Sequence, residues 1–270
     1  MLPFHQVDVF TGEFLLGNPL AVVHGAECLT DEQMAAFARW TNLSETTFLL
    51  PPRHADADYR VRIFTTEGEL PFAGHPTLGS ARAWLEAGGV PKGGHLIQEC
   101  ESGLVRVRCT GERLAFAAPP LIRGGDVDAA DLEQVKRALH VADEDVVGAQ
   151  WADNGPGWIA LLLKDAETVL SLSPEPGIGN VGVVGPHPPG CEAAYEVRAF
   201  SGPVEDPVTG SLNAAIGQWL IGTGQAPDSY VAAQGTNLHR RGRVHVERLG
   251  ADIWTGGHTV IGITGSVRLL

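Results

Sequence analysis

Two stretches of the sequence carry residues that could bind an anion. Each passes from a strand-like run through an acidic turn to a glycine, and then straight into a helix of small residues. The first is marked by Phe64, Glu69, Pro71 and Gly74, and the second by Phe200, Glu205, Pro207 and Gly210, at a constant offset of 136 residues. A glycine at a helix start lets backbone N–H groups approach a negative group, and the helix dipole adds favourable potential there. Two such termini facing each other across a domain cleft would hold a carboxylate. The competing reading is that each glycine only lets its helix pack closely on a sheet, and the matched pair favours the site.

The surrounding pattern supplies the elements that must position these turns. Residues 6–10 alternate polar and apolar, and residues 20–23 form an apolar run behind the Gly17-Asn18-Pro19 turn; both read as strands. Thr30-Asp31-Glu32-Gln33 is a capping box that starts a helix with Met34, Phe37 and Ala38 on its apolar face. Residues 46–50, 59–64, 104–109 and 113–117 read as strands, and 77–87 as a helix closed by Gly88-Gly89. Pro119-Pro120 and Gly124-Gly125 mark a boundary, which gives domains 1–120 and 121–270, with the last strand free to return to the first. The second half repeats the plan: a helix over 129–140, strands over 158–163 and 194–200, a helix over 211–221, then strands over 244–248 and 260–263. Gly88 and Gly224 close the two small-residue helices at the same offset, which points to a duplicated domain.

Composition removes several function classes. A chain of 270 residues suits two domains on the ~150-residue scale. With 19 basic against 32 acidic residues the net charge is −13, which argues against nucleic acid and anionic membrane as partners. The 34 Gly and 18 Pro point to short strands and tight turns. The longest apolar run, residues 158–163, is too short to span a membrane. MLPFHQVDVF lacks a basic region followed by an apolar stretch, so a cytoplasmic location is expected. Cys28, Cys100, Cys109 and Cys191 form no Cys-x-x-Cys pair and are expected as buried thiols, and the dispersed histidines suggest no metal site.

Four segments, VDVFTGEFLLGNPLAVV, NLSETTFLL, RIFTTEGELPFAGHPTLGSA and VEDPVTGSLNAA, resemble in order the phenazine biosynthesis PhzF-like family, which shares its fold with diaminopimelate epimerase. The resemblance covers essentially the whole chain. It implies an α+β fold of two pseudo-symmetric domains, each a mostly antiparallel, barrel-like sheet wrapped around a central helix, with the active site in the cleft between them. It also implies an isomerase acting on trans-2,3-dihydro-3-hydroxyanthranilate, without cofactor or metal, by moving a proton between ring carbons, and a homodimer.

The family's catalytic glutamate lies in a Ser-Glu-Thr motif, which corresponds to Glu45. A general base of this kind is a positioned carboxylate whose proton affinity a closed apolar site can raise. Asn42-Leu43-Ser44-Glu45 also fits a capping box, yet the β-branched and apolar residues that follow offer no helix to cap. By the same resemblance His75 and Asp206 complete the catalytic set, while Gly74, Gly210 and Ser211 bind the substrate. Each also has a plainer reading: Asp206-Pro207 as a turn opener, Ser211 as a helix cap, His75 as a turn residue before proline. Glu69 and Glu205, which share the repeat offset, are expected to brace the turns. The epimerase branch of the fold places a cysteine before each conserved glycine. Ala73 and Thr209 stand there instead, and neither can act as a thiolate base.

The sequence departs from the family in a Phe200–Glu205 segment that is a few residues short, and in the stretch from Gln234-Gly235 to Arg240, where His239 and Arg241 replace a small residue and a proline. Gly177-Ile178-Gly179-Asn180-Val181-Gly182 matches a dinucleotide fingerprint, but neither the preceding strand nor the following helix is there. The reading is a cofactor-independent isomerase of a small carboxylate-bearing metabolite with Glu45 as acid/base. A lyase or dehydratase on the same scaffold and a non-catalytic small-molecule binding protein are the alternatives.

Overall fold

The computed structural model describes residues 1–202 and 204–269, and the chain divides into two compact units. Unit 1 comprises Met1–Ala117 and the chain from Gly256 onward; unit 2 is Ala118–Thr255. The first crossing thus falls three residues before position 120, and the end of the chain belongs to unit 1.

Unit 1 is built from β1 (Leu2–Val9), β2 (Asn18–Val23), α1 (Asp31–Thr41), β3 (Thr46–Leu50), β4 (Tyr59–Phe64), β5 (Glu69–Leu70), α2 (Gly74–Glu86), β6 (Leu96–Cys100), β7 (Gly103–Thr110) and β8 (Arg113–Ala117). The last long strand of the chain, β16 (Asp252–Val267), returns to pair with both β8 and β1, so the order β1-β2-β3-β4-β6-β7-β8-β16 closes into an eight-stranded barrel. β2–β3 and β4–β6 are parallel, while β1–β2, β3–β4, β6–β7, β7–β8 and β1–β16 are antiparallel. α2 is buried almost all round, which a helix surrounded by sheet requires. Its small residues make that possible: a Cβ at Gly79 would lie 2.5 Å from Leu20 Cδ2 and 3.1 Å from Val9 Cγ2. α1 lies outside, pressing Met34 and Phe37 onto Phe48 and Phe64.

Unit 2 repeats the arrangement with α3 (Ala129–Leu139), β9 (Val146–Trp151), β10 (Ile159–Leu163), α4 (Ala166–Ser171), β11 (Val181–Pro186), β12 (Tyr195–Ser201), β13 (Val204–Asp206), α5 (Gly210–Gly222), β14 (Ser229–Gln234) and β15 (Gly242–Leu249). Its strands run β16-β15-β14-β12-β11-β10-β9, with β10–β11 and β12–β14 parallel, matching β2–β3 and β4–β6. Residues 118–126 close this sheet. Ala118 N donates to Ile253 O of β16 at 2.8 Å, and Trp151 N of β9 donates to Gly125 O at 2.9 Å. Each repeat's final segment therefore completes the other repeat's unit.

The duplication extends to side chains. Arg62 pairs with Glu69 through two contacts of 2.7 and 2.5 Å, and Arg198 with Glu205 through two of 2.9 and 2.8 Å. The guanidiniums lie 5.1 Å from the Phe64 ring centroid and 5.0 Å from that of Phe200. Glu69 and Glu205 therefore brace the acidic turns, in accord with their shared offset.

Several elements differ from the sequence reading. α2 begins at Gly74 rather than at 77, because a proline in the first helical turn lacks only an N–H that has no intrahelical acceptor. Of the four free cysteines only Cys100 is buried; Cys28, Cys109 and Cys191 are exposed. Cys100 faces inward by the alternation of β6, whereas Cys28 ends a short 3-10 helix over Ala26–Cys28 and Cys191 sits in a connecting loop. The Gly177–Gly182 motif leads into strand β11, not a helix, so no dipole faces a phosphate there. Among the described residues no helix is long and apolar enough to cross a membrane.

Candidate active site

In unit 1 the site is assembled from the start of β3 and the start of α2. α1 ends at Asn42, whose left-handed conformation (φ 54°) lets its N–H bond Ala38 O. The chain then turns directly into β3, so Asn42 closes a helix rather than opening one, and Glu45 caps nothing. Ser80 Oγ of α2 donates to Thr47 Oγ1 of β3 at 2.9 Å, tying the helix to the strand two residues past Glu45. His75, the second residue of α2, thereby meets Glu45: Nδ1 lies 3.2 Å from Glu45 Oε2, with the imidazole 3% and the carboxylate side chain 15% exposed.

Burial pushes the His75 pKa down to about 3, with a hydrogen bond to the Pro19 carbonyl opposing it. The ring is thus a neutral imidazole beside a carboxylate, able to donate from one nitrogen and accept at the other. The start of β2 that delivers this carbonyl is itself held, since Gly17 N donates to Asp8 Oδ2 at 3.2 Å and a Cβ at Gly17 would lie 2.2 Å from Val9 O. Asp8, buried in β1, is a supporting residue that sequence reading missed.

The depressed pKa has a consequence for stability. The unfolded chain takes up a proton at this histidine below pH 6.5, while the native state resists it until about pH 3. The contribution to stability is complete above pH 6.5 and declines as pH falls through that window, by about 1.4 kcal/mol per pH unit at its steepest. Urea titrations of the wild type and His75→Asn at pH 7 and pH 5 are expected to differ in their pH response by about 2 kcal/mol. His24, held down to about 4 by burial with His5 beside it, keeps a residual slope in both proteins.

In unit 2 the matching turn is held by amides and hydroxyls. Thr209 Oγ1 donates to Asp206 Oδ2 at 2.6 Å. Gln234 Nε2 donates to Thr209 Oγ1 at 2.9 Å and to Asp206 O at 3.2 Å, and its Oε1 accepts from Thr209 N and Asn213 Nδ2. Gly210 and Ser211 open α5 with first-turn N–H groups that have no intrahelical acceptor. Trp158 Nε1 donates to Ser211 Oγ at 3.1 Å, and Asn154 Nδ2 to Ser211 O at 2.9 Å. Thr209, Asn213, Gln234, Asn154 and Trp158 were not singled out as site residues. The 136 offset was a signal for two of them: Gln98 Nε2 bonds Thr77 Oγ1 in unit 1 just as Gln234 bonds Asn213 in unit 2.

Glu45, Gly74 and His75 therefore come together in unit 1, and Asp206, Gly210 and Ser211 in unit 2. Their chemistry is not duplicated. Thr46 pairs with Phe64, and Val181 with Phe200, so the residue in unit 2 that corresponds to Glu45 is Asn180. Its amide is engaged at both ends, donating to Pro156 O at 2.5 Å and accepting from Ser201 Oγ at 2.7 Å. In the Phe200–Glu205 segment Ser201 pairs with Val204, while Pro203 lies outside the described residues. Two cavities, of 370 and 250 Å³, lie at the 175–178 loop and beside Pro51-Pro52, and Glu45, His75, Asp206 and Ser211 line neither.

A carboxylate–imidazole pair thus stands at the first turn of the barrel-enclosed helix of unit 1, and a hydrogen-bonded turn stands at the corresponding helix start of unit 2. The chain belongs to the phenazine biosynthesis-like protein family, whose model matches residues 7–265. It is 32% identical to the Schizosaccharomyces pombe protein described as antisense-enhancing sequence 1, over 98% of this chain and 95% of that one. It is 33% identical to a trans-2,3-dihydro-3-hydroxyanthranilate isomerase of Pseudomonas fluorescens, over 81% of this chain and 80% of that protein. A solved structure described as a predicted epimerase of Pseudomonas aeruginosa superposes with a TM-score of 0.83 at 27% identity, each chain covered to 99%. The protein is an enzyme, and its chemistry is that of isomerases.

Proposed function

We propose that the protein shifts a proton within a small carboxylate-bearing metabolite of the dihydro-hydroxyanthranilate type, with Glu45 as the acid/base. The observation that carries this reading is the Glu45–His75 contact at 3.2 Å. Glu45 takes a proton from a substrate C–H bond, and the electron pair enters the adjoining conjugated system. The same proton then returns to a different carbon, so the composition and oxidation state of the substrate are unchanged and no cofactor is called upon. His75, a neutral imidazole anchored by its hydrogen bond to the Pro19 carbonyl, stands 3.2 Å from the Glu45 carboxyl group and holds it in place.

The turn in unit 2 serves binding. Gly210 and Ser211 supply N–H and O–H donors to the substrate carboxylate, as Gly74 does from α2, and Asp206 accepts from an amino or hydroxyl group. Asn180 supports a one-base scheme, because the position of unit 2 that corresponds to Glu45 carries an amide and not a carboxyl group. The protein is further proposed to work as a homodimer, which sedimentation equilibrium tests directly.

Incubation with trans-2,3-dihydro-3-hydroxyanthranilate, followed by mass spectrometry and NMR, tests the proposal. A product of unchanged mass with a relocated C–H bond supports it. Loss of one water identifies a lyase, and binding without conversion identifies a small-molecule binder.

A further inference from the structure

Ser211 has one hydroxyl proton and two acceptor lone pairs. The indole N–H is a donor only, so the 3.1 Å contact from Trp158 Nε1 must occupy a lone pair and turn the Ser211 proton away from the ring. Among the described residues no acceptor takes that proton. Trp158 is well placed to enforce the arrangement. It is 4% exposed, immediately precedes β10, and is held by Ala152 N donating to its carbonyl at 2.9 Å. Asn154 Nδ2 fixes the same serine from its backbone side at 2.9 Å, and its own Oδ1 is buried without a partner. The indole and the carboxamide therefore hold both the backbone and the side chain of one residue in the first turn of α5.

We infer that Trp158 is a positioning residue, which commits the Ser211 hydroxyl to donate its proton to the substrate. This rests on the reading of Ser211 as a substrate-holding residue. Without the indole N–H the hydroxyl is free to rotate and bond elsewhere, and substrate binding weakens. The role predicts a loss that falls on KM rather than on kcat, because the hydrogen bond orients a binding group and touches no reacting atom.

The test compares the full-length wild type with Ser211→Ala, Trp158→Phe and the double variant, using trans-2,3-dihydro-3-hydroxyanthranilate as substrate and anthranilate as a binding probe. Trp158→Phe is expected to raise KM, and the Kd for anthranilate, by about three- to tenfold, the effect of one hydrogen bond. In the Ser211→Ala background the same change is expected to add nothing, since the group it positions is gone. Should Trp158→Phe fold poorly, a benzothienylalanine at position 158 removes the N–H while keeping the ring shape. Independent, multiplying effects of the two substitutions, or a fall in kcat alone, would overturn the inference while leaving Ser211 and Glu45 as read. An unchanged KM and Kd in Ser211→Ala would instead overturn the role of Ser211, and with it that of Trp158.

Discussion

Glu45→Gln is expected to lower kcat for the proton shift by about 10²- to 10⁴-fold, the range that a positioned general base contributes. Glutamine matches glutamate in size and keeps the contact that Oε2 makes with His75 Nδ1, but it cannot take a proton from carbon. Substrate binding is expected to change little, because the groups assigned to hold the carboxylate lie elsewhere. Steady-state kinetics with trans-2,3-dihydro-3-hydroxyanthranilate checks the first point, and anthranilate titration the second. Turnover within tenfold of the wild type would place the base on another residue.

Glu205→Leu is expected to destabilise the protein by about 3–5 kcal/mol, the cost of leaving a buried charge without its partner. Arg198 is only 5% exposed, and Glu205 supplies both of its carboxylate contacts. The Val169 and Leu172 carbonyls that also accept from its Nη1 offer dipoles but no compensating charge. The repeat-related change Glu69→Leu makes a built-in comparison. Arg62 and Glu69 are 22% and 31% exposed, and Asp31 still pairs with Arg62, so the expected loss there is about 1 kcal/mol or less. Urea unfolding of the two variants side by side measures the difference. Equal losses would mean that burial does not set the worth of these pairs.

This asymmetry marks what could be read from the residues alone. The 136 offset located both acidic turns, both central helices and the bracing role of Glu69 and Glu205, because each depends on residue types at fixed spacing. Strands β6, β9, β11 and β14 escaped for different reasons. β11 is buried on both faces and carries glycines, so it shows no alternation, while β9 lies at the end of the unit 2 strand order and has no fully buried position. α4, with six residues, is too short for a helical period to register. The correspondence of Glu45 with Asn180 was out of reach for another reason. It runs at 135 residues rather than 136, and only the pairing of β3 with β4 and of β11 with β12 reveals it. His75 as a buried, neutral helical residue was likewise hidden, because a Gly-His-Pro triplet reads as a turn until the barrel around α2 is in view.

The most direct measurement of the central claim is the fate of the migrating hydrogen. Substrate carrying deuterium at the carbon that loses its hydrogen is to be converted in ordinary water by the wild type and by Glu45→Gln, and the product examined by NMR. A single carboxylate that takes and returns one proton within a buried site predicts that a measurable share of the deuterium reappears at the new carbon in the wild type, while Glu45→Gln gives almost no product. Rapid conversion by Glu45→Gln, with the label transferred as in the wild type, would contradict it.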